Sequence, residues 1–179
     1  MGVAASTRVV RSSPNVETAC KLVVGNGEYR VQLMEFVVAG LEAGQQILAI
    51  GAPDFLREIA WHLTESGHKP EGMLHNERLL FLTAPECFFT LDCHADLFRR
   101  LPLHRNGSML RCASDWSWLK AHNVDLQKAL CYQRRVHELA RSLEALSICT
   151  AESAKLDRNS LLAMMANHRR SVKPQTGPC

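Results

Sequence analysis

Between Cys20 and Thr150 short apolar runs alternate with stretches whose apolar residues recur every three or four positions. A continuous apolar run suits a strand covered on both faces, and the three-to-four spacing suits a helix with one face on a core. The first run, Cys20-Lys21-Leu22-Val23-Val24, closes at Gly25-Asn26-Gly27. Tyr29, Leu33, Phe36, Val37 and Leu41 then predict a helix that stops at Gly44. Gln46 to Gly51 predicts a second strand. Pro53 follows where the first turn of a helix tolerates it, with Phe55, Ile59, Ala60 and Leu63 inward and Gly67 as the stop. Leu79 to Thr83, Ser108 to Ala113 and Leu146 to Thr150 read as further strands. A long helix is predicted from Val124 to Leu143, on a stripe of Leu126, Ala129, Leu130, Val136, Leu139, Ala140 and Leu143. A last helix runs from about Arg158 to Arg169, with Leu161, Leu162, Met165 and Ala166 inward. Pro85 to Leu103 is the least periodic stretch, with one helix expected around Cys93 to Arg100.

This rhythm predicts an α/β fold: one domain with a mostly parallel sheet, right-handed crossovers and helices on both faces. The domain should span residues 18–170, between a disordered leader (1–17) and a flexible tail (171–179) that carries Pro174, Gly177 and Pro178. With 46% hydrophobic and 22% charged residues over 179 positions, the chain has enough apolar material for its own core. It has no apolar run of transmembrane length and no signal-peptide pattern, so a cytoplasmic location is expected. Met1 to Ser6 fits the loose N-myristoylation pattern, and the acid-free leader with Arg8 and Arg11 has the character of some transit peptides. An unstructured leader accounts for both.

Charge narrows the partners. The net charge is +3, with basic residues spread among acidic ones; Arg134, Arg135 and Arg141, and His168 to Lys173, read as a solvated helix face and tail rather than a phosphate-reading stripe. Seven cysteines lack CxxC spacing and mostly sit in apolar runs, the usage of a reducing compartment. Cys87, Cys93 and His94 match no structural zinc pattern, and no metal or other cofactor is expected. The eight histidines do not pair with Cys or Ser at a diagnostic spacing, and GxSxG, HExxH and kinase motifs are absent. A catalytic site assembled by the fold stays open as an alternative.

Parallel sheets bind ligands at the carboxyl ends of their strands, so the loops there carry the chemistry. Gly25-Asn26-Gly27 lacks the Lys and Ser/Thr of a phosphate loop and the third Gly of a dinucleotide fingerprint. Ser114-Asp115-Trp116-Ser117-Trp118 places two indoles and a carboxylate at a strand end. One reading makes this a ligand site. The other makes Asp115 a cap of the next helix and one Trp a packing residue.

Gly27-Glu28-Tyr29 with Val38 to Gln46, Leu110 to Trp118, Cys131-Tyr132-Gln133, and Leu161 to His168 form a set of four segments. Together they resemble the MEDS family, named for methanogen and methylotroph DcmR sensory domains, across roughly residues 20–170. Departures are Cys20 in place of a His, Ser114 in place of a Gly, Gln133 in place of a Glu and Ala151 in place of an aromatic. The resemblance implies a RecA-like core related to P-loop ATPases, without a functional Walker A motif, that senses a small molecule. The expected ligand-binding residues are Asp115 and Trp118, with Arg111, Tyr132 and Trp116 beside them. The expected partners are an unidentified small molecule and a protein of the transcription-regulator or kinase type, with no nucleic acid and no membrane; a homo-oligomer is compatible with these features. A degenerate ATPase-fold module serving protein contacts is the alternative.

Overall fold

Five apolar runs form the strands β1 (Cys20–Gly25), β2 (Gln46–Gly51), β3 (Leu79–Thr83), β4 (Leu110–Asp115) and β5 (Leu146–Glu152). Helices α1 (Glu28–Glu42), α2 (Pro53–Glu65), α3 (Pro70–His75), α4 (Ala84–Phe89), α5 (Leu126–Ser142) and α6 (Arg158–Ser171) lie between and after them, with a 3-10 turn at Ser153–Lys155. This computed structural model describes residues 20–25, 27–89 and 109–171. The leader, the tail beyond Ser171 and the helix expected around Cys93 to Arg100 lie outside the described residues. Among the described residues no helix is long and apolar enough to cross a membrane.

All four strand pairings are parallel, in the order β1-β5-β4-β2-β3. Side chains alternate along each strand, which divides the core into two layers. Ile47, Ala49, Ala113 and Ile148 pack beneath α1 and α2, with Leu33, Val37, Ile59 and Leu63. Leu48, Ile50, Cys112 and Cys149 pack on the opposite face, with Tyr132 and Val136 of α5 and Met164 of α6. The predicted three-layer α/β arrangement with a parallel sheet is therefore present.

Local differences have physical causes. β4 runs to Asp115 instead of stopping near Ala113, because Ser114 and Asp115 continue the ladder opposite Cys149 and Thr150. In α6 the buried apolar residue is Met164, while Leu162 is 54% exposed and Ala166 also faces outward, so the inward stripe lies one position off its expected place. In α5 the buried face is Ala129, Tyr132, Gln133, Val136, His137 and Ala140, which puts two polar residues at its centre and leaves Leu130 and Leu139 half-buried. Helix α3 escapes periodicity because it has no buried residue.

Arg111 fastens α1 to the sheet. Its Nε donates to Gln45 Oε1 at 2.5 Å and its Nη1 to the Phe36 carbonyl at 2.7 Å, and the guanidinium lies 4.8 Å from the centre of the Phe36 ring. The stem of Arg111 passes over Gly40: a Cβ there would meet Arg111 Cδ and Ile47 Cδ1, each at 2.7 Å. Gly40 is thus required by close approach of helix to sheet. Gly40→Ala should cost about 1–3 kcal/mol by overpacking, read as a lower denaturant midpoint with an unchanged slope. A midpoint equal to the wild type would show that α1 does not press on Arg111.

Candidate functional site

The chain doubles back between β3 and β4. From β2 it leaves toward α2 on one face, and from the neighbouring β4 it leaves toward α5 on the other, so the carboxyl ends of β2 and β4 flank a crevice of the kind where open α/β sheets bind ligands. Asp115 is the last residue of β4 and only 4% exposed. Strand alternation places its side chain on the α1 side, with Ala113.

Local hydrogen bonds hold the carboxyl in place. Oδ1 accepts from Ser117 Oγ at 2.7 Å and from Thr150 Oγ1 at 3.2 Å, and Oδ2 accepts from the Ser117 backbone N–H at 3.1 Å. Ser117 Oγ in turn accepts from the Glu152 N–H at 2.8 Å, and the Trp116 N–H donates to the Thr150 carbonyl at 2.9 Å. The network stitches the segment after β4 to the end of β5. Burial pushes the Asp115 carboxyl up to about 6, and the bonds from Ser117 and Thr150 only partly offset that desolvation.

A charged rim surrounds this carboxyl. Tyr29 donates to Glu152 Oε2 at 3.5 Å, and Lys155 Nζ lies 2.8 Å from the same oxygen. Arg30 Nε lies 2.9 Å from Glu58 Oε1 and 3.3 Å from the Tyr29 hydroxyl. Burial raises the Tyr29 phenol, and Arg30 opposes that shift. Beyond Arg30, a groove of about 730 Å3 runs between α1 and α2; Val31, Met34 and Trp61 form apolar walls, with Arg30, Glu58 and His62 as polar anchors. Val31 and Trp61 are 62% and 58% exposed.

The sequence-predicted residues divide into three groups. Trp116, Trp118 and Tyr132 meet on the α5 side, with Trp116 and Trp118 ring centres 5.5 and 6.4 Å from Tyr132 and Phe88 against both Trp118 and Tyr132. Asp115 stands on the other side of the same strand end, joined to this cluster through its carbonyl, which accepts from Trp118 Nε1 at 3.0 Å. Arg111 is not brought to the site; it lies four residues back along β4 and holds α1. Asp115 does not cap α5 either. Asp125 does so, accepting from the Lys128 N–H at 3.0 Å. Tyr29, Arg30, Thr150 and Glu152 were not expected here. They become visible once β5 is known to neighbour both β4 and β1.

Because the folded-state value for Asp115 lies above its ordinary 3.8, the folded protein keeps a proton that the unfolded chain has already released between about pH 4 and pH 6. The contribution of this group is therefore full below pH 4 and falls by about 3 kcal/mol as the pH rises through 6. Asp115→Asn should remove that slope. Urea unfolding of both proteins at pH 4, 5, 6 and 7.5 measures it, and parallel profiles would show that another group titrates.

No curated protein matches the chain as a relative. The family described as MEDS, the methanogen/methylotroph DcmR sensory domain, matches residues 19–169, which include every element from β1 through most of α6. The chain belongs to the MEDS family of sensory domains.

Proposed function

We propose that this domain senses a small molecule at the carboxyl edge of β4 and β5 and passes the change to a partner protein of the transcription-regulator or kinase type. The observation that carries the reading is Asp115: a buried carboxyl at the sheet's switch point, its ionisation pushed up to about 6, linked through Tyr29 and Arg30 to an apolar groove. Such a group changes charge when a ligand brings a donor or removes water. A groove with apolar walls and a few polar anchors has the character of a small-molecule site. The ligand occupies the groove with its polar end at Arg30 and Tyr29, and Asp115 responds behind them. Trp116 and Trp118, packed on the far side of the same strand end, transmit the response toward α5 through Tyr132.

The core is read as RecA-related without nucleotide hydrolysis. This rests on the family resemblance and on the β1–α1 junction, which has no Lys or hydroxyl for phosphate and magnesium. Calorimetry with magnesium and ATP should accordingly show no binding at micromolar concentration.

A metabolite screen read by tryptophan fluorescence tests the sensing reading. Arg30→Ala should stay folded and weaken a ligand by about 10- to 100-fold, the loss of one hydrogen bond to a charged group, and Asp115→Asn should stay folded and weaken it through the lost response of the carboxyl. Trp118→Phe should keep the ligand and lose most of the fluorescence change. Ligands whose affinity is untouched by both Asp115→Asn and Arg30→Ala would place the site elsewhere.

A further inference from the structure

The other face of the same strand pair carries a second polar cluster that the Asp115 network does not use. Cys149, in the middle of β5, points toward α5 and α6, where it meets His137 of α5 and His168 of α6. All three are buried, at 1%, 6% and 6% exposure. His137 Nε2 lies 3.2 Å from Cys149 Sγ, and the two imidazole rings stand nearly perpendicular with centres 4.8 Å apart. One donor atom from each residue lies within 4.8 Å of the other two. The helices are fastened to each other at this level: Asn167 Nδ2 donates to the Leu130 carbonyl at 3.0 Å and to Gln133 Oε1 at 2.8 Å. Gln133 is fully buried one helical turn before His137, and its Nε2, like His137 Nδ1, has no hydrogen-bond partner among the described residues.

We infer that His137, Cys149 and His168 form a site for a thiophilic transition-metal ion of the zinc class. One thiolate and two imidazoles are a donor set that suits zinc, with a fourth position left for water or an incoming donor. Donors of a tetrahedral zinc lie roughly 3.3 to 3.7 Å apart. The observed 3.2 Å contact and the 4.8 Å limit of the cluster therefore call for about 1 Å of ring adjustment. Cys149 Sγ also lies 3.2 Å from the Ser114 hydroxyl, which would stay beside the bound thiolate as the kind of outer contact that orients a metal ligand. A nucleophilic or redox-active Cys–His pair explains the cluster less well, since a reactive thiol needs access and Cys149 sits in mid-strand at 1% exposure. On binding, the Cys149 thiol proton passes to solvent and each neutral imidazole supplies a lone pair, so acid competes with the metal for the site. The site lies across the sheet from Asp115 and does not depend on the ligand reading there.

Titration of the full chain with cobalt(II) and zinc, under reducing conditions, tests the inference. One equivalent of cobalt should bring up a thiolate-to-cobalt charge-transfer band and the intense visible bands of a tetrahedral site, and zinc should displace them. Zinc at a hundredfold excess over its Kd should raise the Tm by about 5 to 10 °C. Cys149→Ala and His168→Gln should lose the band and weaken binding by about 100-fold or more, while Cys131→Ser keeps both. A core variant can fail to fold, so the deciding measurement is X-ray absorption at the zinc edge of the unmutated protein. It should show one sulfur at about 2.3 Å and two imidazole nitrogens at about 2.0–2.1 Å. A chain that takes up no equivalent of either metal, a shell with no sulfur or with more than one, or a cobalt band that survives in folded Cys149→Ala would overturn the inference.

Discussion

The pairing of β4 with β5 is the constraint on which the rest depends. Its register sets Ser114 opposite Cys149 and Asp115 opposite Thr150, and in a parallel pair two residues in register point to the same face. One step along the ladder therefore switches from a thiol facing α5 and α6 to a carboxyl facing α1. A slip of one residue would exchange these faces and leave Asp115 among the apolar side chains of α5. The Ser117 and Thr150 hydroxyls, and the Trp116 N–H on the Thr150 carbonyl, hold the register at its polar end.

From that register follows a division of labour between the layers. The α1–α2 layer carries the groove, the charged rim and the ionisable carboxyl, and it is fixed to the sheet by Arg111 at its far end. The α5–α6 layer carries the aromatic cluster and the His137–Cys149–His168 group. Trp116 and Asp115 are sequence neighbours on opposite sides of one strand end, so a shift in one displaces the other. The outer face of α5 carries Arg135 and Glu138 to solvent.

Much of the fold was legible because burial on both faces leaves a plain sequence trace. Gln46 to Gly51 and Leu79 to Thr83 read as strands to the residue, and Tyr29, Leu33, Val37 and Leu41 marked the inward side of α1. What escaped is polar and interior. Gln133 and His137 sit on the buried face of α5, where a hydrophobic stripe search passes over them in favour of Leu130 and Leu139. Of the candidate site, Asp115, Trp116 and Trp118 were singled out from one conspicuous segment. Thr150, Glu152, Tyr29 and Arg30 were not, because strand order is a long-range property that local pattern does not contain. Arg111, close to Asp115 in sequence, lies at the opposite end of a six-residue strand and packs on α1.

The central claim is that Asp115 is an interior carboxyl whose ionisation is pushed well above the ordinary carboxyl range. Carbon-13 NMR of the Asp115 carboxyl, followed from pH 3 to pH 8 in the folded protein, measures this directly. The account predicts a midpoint near 6, well above the ordinary 3.8. A midpoint at or below 3.8 would mean that the carboxyl is solvated or fully compensated by Ser117, Thr150 and Lys155, and would contradict the account.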